Sequence, residues 1–331
     1  MNVSSLPALL QSFFTARLIT QLGASSHTVA AYRDTFRLLL RFATERLKQE
    51  PSELRMEQFD TAFVGDFLQH LEVYRGNCTR TRNIRLAALR AFFRYVAVNE
   101  PAHALQCQRL LAMPSKRYER GPVEFLTDEE VAALAAAPDP DTWLGRRDKA
   151  ILVVAAQTGL RNSELTGLRH RDVEFGAGAH VRCLGKGRKA RCTPLAADTA
   201  TVLKKWLAEQ SGGEDSPVFP SSRGGRISAD ALQRLVACHA ATASECCPSL
   251  KGKKVTPHTL RHTAAMALLL RGVGLTVIAL WLGHESTETT QVYMHADMSL
   301  KERALAHSTS TGAAPKRYHP PDPLLAFLEG L

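Results

Sequence analysis

The sequence predicts a mainly α-helical chain of two domains, the second carrying a small antiparallel β-sheet. Three observations predict it. Over the first hundred of 331 residues, apolar side chains recur at helical spacing. A basic stretch bearing proline and glycine, without a clear period, follows. Beyond it, helical segments are interrupted by short strand-like segments, two of them joined through a glycine-containing loop. A chain of this length suits two domains. The boundaries read from it are a helical domain over 1–105, a linker over 106–123, a second domain over 124–306, and a tail over 307–331.

The opening MNVSSLPALLQSFFTARL reads as an amphipathic helix. Ser26 is placed to cap a helix from His27 to Lys48, whose apolar set is Val29, Tyr32, Phe36, Leu39, Leu40 and Ala43. Helices over Asp60–Leu71 and Thr79–Asn99 follow, so the first domain is a bundle of four or five helices. Residues about 102 to 123 lose that period, and the stretch AMPSKRYERGPVEF reads as an extended linker. In the second domain Thr127 and Glu130 have capping-box spacing, and Gly159 ends an apolar helix over Asp148–Thr158. Strands are expected at Asp172–Phe175, His180–Leu184 and Ala190–Pro194, with Gly185–Lys189 as the hairpin loop. Helices are expected at Asp198–Glu209, at Ser228–Ser244, after Thr256 with Pro257 at the first position, at Leu275–Leu282, and at Thr287–Ala296. In the tail, HSTSTGAAPKRYHPPDP reads as a linker and LLAFLEGL as an apolar segment that needs a surface to pack on.

Apolar residues make up 45% of the chain, enough for proper cores, and its formal charge is +10, which points to a polyanionic partner. No apolar run approaches the roughly 18 residues of a spanning helix, and the N-terminus lacks a secretory signal pattern. The reading is a cytoplasmic protein, not a membrane protein. The seven cysteines are odd in number and contain no C-x-x-C pair, so reduced thiols are expected. Cys183 and Cys192 flank the hairpin and read as small strand residues. The Thr79–Asn99 helix carries Arg80, Arg82, Arg85, Arg90 and Arg94 among Thr79, Thr81 and Asn83. Charges of one sign with small polar residues between them suit a phosphate backbone. Arg80, Arg82, Arg85 and Arg90, with Lys116 and Arg117 of the linker and Arg188 of the hairpin, are the candidate DNA contacts.

Four segments carry candidate chemistry. TGLRNSEL puts Arg161 past a helix end, and LGKGRKAR puts Lys186 on the hairpin. TPHTLRHTAA puts His258 and Arg261 on one helix face, and LGHESTETTQVYMH holds His284 and Tyr293. Each has an ordinary structural role when taken alone; the ordered set is what points elsewhere. If the six converge on a phosphodiester, two guanidiniums can clamp its non-bridging oxygens in fork geometry. Cations aimed at developing charge are usually the largest catalytic contribution. A tyrosine phenol, with a pKa near 10, becomes a nucleophile beside arginine and histidine. In this arrangement Lys186 protonates the leaving 5′-oxygen, His258 takes or gives the tyrosine proton, and His284 donates to a non-bridging oxygen. A covalent link would store the phosphodiester energy. No cofactor and no metal are then expected, in keeping with a sequence that has neither a Walker A motif nor an acidic cluster near these groups.

The set Arg161, Lys186, His258-x-x-Arg261, His284 and Tyr293 resembles that of the tyrosine recombinase, or phage integrase, family, with all six positions filled. The resemblance is strong over about 126–306 and weaker over about 8–100, as the family's helical core-binding (SAM-like) domain. It implies site-specific DNA recombination, integration or transposition through a 3′-phosphotyrosine, by a two-domain clamp around double-stranded recombination sites. It also implies four protomers, identical or mixed with sister recombinases, acting through a Holliday junction. The C-terminal apolar segment would pack on a neighbouring protomer. Because the bundle starts almost at the N-terminus, a simple recombinase or one encoded by a transposon or other mobile element is favoured. Three rival readings are a type IB topoisomerase, a non-catalytic DNA-binding protein, and a zinc hydrolase built on His258 and His262. The last lacks the glutamate of an H-E-x-x-H helix, since Thr259 stands in its place.

Overall fold

The computed structural model of the chain describes residues 5–119, 123–176, 178–185, 190–283 and 290. It divides into two compact units, Met1–Arg120 and Gly121–Leu331. Both are built mainly of helices, as expected, and the second holds a three-stranded antiparallel sheet.

In the first unit, α1 (Leu6–Ser12) starts with the Ser5 hydroxyl accepting from the Ala8 amide and continues as a π-helix, Phe13–Gln21. Helix α2 (Ser26–Leu47) is capped by Ser25 and not by Ser26: Ser25 is extended and accepts from the Thr28 amide, while Ser26 is already helical. Asp60 caps α3 (Thr61–Val73), and α4 spans Thr79–Asn99. Phe13, Phe36 and Phe92 meet edge-on at the centre, with ring centroids 5.2 to 6.3 Å apart. Each such ring stabilises the bundle by about 2 kcal/mol on burial. The expected extended linker is corrected over part of its length. Residues Ala104–Ala112 form α5, whose Cys107 and Leu110 are buried in the bundle core. Gln106 Nε2 fastens α5 by donating to the carbonyls of Met56 and Phe59.

In the second unit, Thr127 and Glu130 form the expected capping box of α6 (Asp128–Ala136). Helix α7 (Trp143–Thr158) starts earlier than expected because the Thr142 hydroxyl accepts from the Gly145 amide. Gly159 ends it in the left-handed region, φ 64°. Helix α8 (Asn162–Gly167) precedes the sheet of β1 (Val173–Glu174), β2 (His180–Leu184) and β3 (Ala190–Pro194), in the order β1-β2-β3. β1 is shorter than expected because Asp172 accepts from the Arg169 amide and closes a turn. Val181 pairs with Thr193 and Cys183 with Arg191. Cys183 is buried and Cys192 exposed, so the two thiols do not face each other. Helices α9 (Ala197–Ala208), α10 (Ala229–Cys246), α11 (Pro257–Leu270) and α12 (Leu275–Leu282) complete the described fold. α7 and α11 lie together in the core, and Ala265, Met266, Ile278 and Leu282 seal α11 against α12. Lys186, Arg188, His284, Tyr293, the tail, and the expected Thr287–Ala296 helix apart from Thr290 lie outside the described residues.

Candidate active site

The site is built where α7 ends. The left-handed turn at Gly159 sends the chain back so that Arg161 becomes the extended N-cap of α8. Glu164, three residues on, accepts from the Arg161 amide at 2.8 Å and from its Nη1 at 2.9 Å. Arg161 Nη2 donates to the Gly283 carbonyl at 2.6 Å. Arg261 reaches the same place from α11. Its guanidinium is buried, with Nη1 donating to the Gly159 carbonyl at 2.6 Å and Nη2 to the Leu282 carbonyl at 2.8 Å. The two arginines thus grip the last carbonyls of α12, groups that no helical amide satisfies. Trp281 adds a third tie, its Nε1 donating to the Thr158 carbonyl at 3.1 Å.

Arg161, Arg261 and His258 line one cleft of about 350 Å³, together with Asn162, Gln233 and Thr256. Thr256 caps α11 by accepting from the Thr259 amide, and Pro257 occupies its first position. His258 is exposed on that opening turn, its ring edge-on to His262 with centroids 4.2 Å apart. Two guanidiniums and a helix N-terminus on one cleft form an anion site, suited to a phosphate group.

Two further residues complete the arrangement. Arg191, on β3, donates from Nη1 to Glu164 Oε1 at 2.8 Å and from Nη2 to Oε2 at 2.7 Å, while its Nε donates to the Trp281 carbonyl at 3.2 Å. Burial pushes the Glu164 carboxyl upward, but the Arg191 hydrogen bonds and the Arg161 amide outweigh it and hold the carboxyl at about 2. Gly283 is left-handed at φ 65°, and a Cβ there would lie 2.7 Å from Arg191 Nη1. Glu164 and Arg191 are not among the site residues expected from the motifs. The one-dimensional signal was the Arg-x-x-Glu spacing of 161–164 and the inward alternation of Arg191.

Of the six expected catalytic residues, Arg161, His258 and Arg261 come together. Lys186 and Arg188 fall in the sequence between the paired residues Leu184 and Ala190 and lie outside the described residues. His284 directly follows Gly283, the residue held by Arg161, and with Tyr293 it lies outside them too.

The candidate DNA contacts of the first unit divide. The expectation of a phosphate-facing Arg82 is revised: it is buried, donates to Asn83 Oδ1 at 3.2 Å and lies 4.0 Å from the Glu72 carboxylate. Arg85 Nη1 donates to Thr35 Oγ1 at 3.0 Å and to the Ala31 carbonyl at 3.1 Å, tying α4 to α2. Arg90 bonds the Met113 carbonyl and Ser115. These three join parts of the bundle because an amphipathic arginine can bury its stem. Arg80, Lys116 and Arg117 are exposed, although Lys116 Nζ pairs with Glu72 at 2.6 Å.

The model of the phage integrase family matches residues 124–299, and that of the phage integrase N-terminal SAM-like domain matches 12–99. A Sinorhizobium fredii protein named as an integrase/recombinase, y4rC, is 53% identical over 328 residues, covering 99% of each chain. The tyrosine recombinase XerC of Thermodesulfovibrio yellowstonii is 33% identical over 86% of this chain and 91% of its own. Among solved structures, the XerH site-specific recombinase bound to a palindromic difH substrate, a post-cleavage complex, shares the fold. Its TM-score is 0.69 at 21% identity, covering 86% of this chain and 81% of that one. Among the described residues, no helix is long and apolar enough to cross a membrane.

Proposed function

Because this chain belongs to the phage integrase family, the tyrosine-type site-specific DNA recombinases, we propose that it breaks and rejoins strands through a covalent bond between DNA and Tyr293. The observation that carries the reading is the shared cleft of Arg161, Arg261 and His258. The two guanidiniums bind the non-bridging oxygens and stabilise the extra charge of the five-coordinate transition state. The Tyr293 oxygen attacks phosphorus, a 3′-phosphotyrosine forms, and the 5′-oxygen leaves with a proton from Lys186. His258 exchanges the tyrosine proton and His284 donates to a phosphate oxygen. The displaced 5′-hydroxyl of a partner strand then reverses the step, and the conserved phosphodiester energy needs no ATP, cofactor or metal.

Arg80, Lys116 and Arg117 of the first unit and Arg188 of the hairpin contact the duplex backbone in this reading. The active assembly is a tetramer on two recombination sites, of this chain alone or with sister recombinases, in the bacterial cytoplasm. The apolar segment 324–331 docks on a neighbouring protomer.

The test is covalent capture. Wild-type protein and Tyr293→Phe are incubated in EDTA with labelled, nicked duplexes carrying the ends of the DNA element that encodes the chain. Label should stay with wild-type protein on a denaturing gel and be absent with Tyr293→Phe. Label that persists with Tyr293→Phe would show that another residue is the nucleophile. A metal requirement would refute the direct mechanism.

A further inference from the structure

The cluster around Glu164 contains more positive charge than its internal pairing needs. One buried carboxylate meets two guanidiniums: both of its oxygens accept from Arg191, at 2.8 and 2.7 Å, and one also accepts from Arg161 at 2.9 Å. The cluster therefore has a net charge of one positive unit. Arg161 retains 31% of its side-chain exposure and lines the phosphate cleft, whereas the Arg191 side chain is only 12% exposed. The charge left over is thus presented to the cleft by Arg161. Arg191 is further fixed by the Trp281 carbonyl and by close packing against Gly283.

We infer that Arg191 is a positioning residue that neutralises Glu164, leaving the charge of Arg161 available to the DNA phosphate. Without Arg191, Glu164 would pair with Arg161 alone, and the pair would approach the phosphate with no net charge. The role rests on the reading of Arg161 as a phosphate clamp. It gives the buried ion pair a purpose that stability alone does not, since an apolar replacement of such a pair is often as stable. Among the described residues, the other titratable or charged groups near Glu164 are Cys183 on β2, Arg226 along α8, and Arg169, Arg171, Asp172 and Arg182, which line a neighbouring cleft with it. None of these makes a hydrogen bond to the carboxylate comparable with that of Arg191.

The test compares Arg191→Met, Arg191→Lys, Glu164→Gln and the double variant Arg191→Met/Glu164→Gln, with rates scaled to the folded fraction. Adduct formation on the nicked duplex should slow about 100-fold in Arg191→Met, with duplex affinity little changed. Adding Glu164→Gln, which removes the competing charge, should restore most of the loss. Arg191→Lys, a point charge without the fork, should lie between. A role in folding alone predicts no such rescue. A second readout needs no DNA: the carbon-13 resonance of the Glu164 carboxyl, assigned by its loss in Glu164→Gln, should titrate at higher pH in Arg191→Met than in the wild type. A wild-type rate in Arg191→Met, an absent rescue, or an unmoved titration overturns the inference. If the wild-type chain forms no adduct, the Tyr293 reading fails instead, and the carboxyl titration still judges the pairing.

Discussion

Replacing Gly159 by alanine should damage the fold and the phosphate clamp together. The backbone there has φ 64°, where a Cβ costs about 1 kcal/mol. The added methyl carbon would lie 2.7 Å from Leu282 Cδ2 and 3.0 Å from Ala264 Cβ. Leu282 can rotate in part, but Ala264 is backbone-bound, so α11 or α12 must move by a few tenths of an ångström. Overpacking of that kind costs about 1 to 3 kcal/mol, which brings the total to about 3 kcal/mol. The displaced groups matter for the site, because Arg261 donates to the carbonyls of Gly159 and Leu282. Misplacement of a clamp on this scale slows a reaction by about 10- to 100-fold. Trp143, Trp206 and Trp281, the chain's 3 tryptophans, all lie in the second unit, so tryptophan fluorescence during urea unfolding reports that unit alone. Gly272→Ala is the control: φ is 83° and nothing lies within 4 Å of the added carbon, so only the backbone cost of about 1 kcal/mol should appear. Equal losses in the two variants, with adduct rates within about twofold of wild type, would refute the packing argument.

Four other outcomes are expected. Glu164 is held at about 2 against an ordinary 4.5, a gap of about 3 kcal/mol. Its folded pKa is depressed, so this stability is fully present above 4.5 and is lost as pH falls through about 2; urea unfolding of Glu164→Gln should lack that acid-dependent part. Arg82→Met should destabilise the first unit by about 1 to 3 kcal/mol, read by circular dichroism. Arg80→Met should leave stability within about 0.5 kcal/mol while lowering the salt slope of DNA binding by about one. Thiol titration with a disulfide reagent should find Cys78, Cys192, Cys238 and Cys246 reactive in the native protein. Cys107 and Cys183, pushed by burial to about 11, should react only on unfolding.

Elements bounded by strong local signals were legible in the sequence. β2 and β3 follow from alternation about a glycine loop, and α4 and α12 from their helical period. Signals that compete locally were harder to read. Ser25 and Ser26 are equally good caps, and only the backbone angles choose between them. α5 lies in a stretch that proline and arginine make look extended, and its helicity depends on burying Cys107 and Leu110 in the bundle. At the site, Arg161 and Arg261 could be read from their segments, but not their shared hold on the end of α12. The Arg191–Glu164 pair, 27 residues apart, leaves almost no trace in one dimension because its partners meet only when β3 packs on α8. The arginines of α4 show the reverse difficulty: a row of like charges reads as one surface, yet Arg82 faces inward.

The π-helix at Phe13–Gln21 makes the N-terminal segment sensitive to length in an uneven way. Its wide turns close amides onto carbonyls five residues back, as Leu22 does onto Arg17 at 3.0 Å. Such a coil accommodates an extra residue that an α-helix of the same height would not hold. Deleting a single residue within it would let the coil relax toward α geometry while everything upstream keeps its phase. Leu6 and Leu9 would then stay turned toward the aromatic cluster that buries them. The same deletion between Leu9 and Phe13, where the turns are α-helical, would instead rotate Leu6 and Leu9 off that cluster by about 100°. Single deletions in this part of the chain should therefore be tolerated within the wide coil and rejected in the α-helical turns before it.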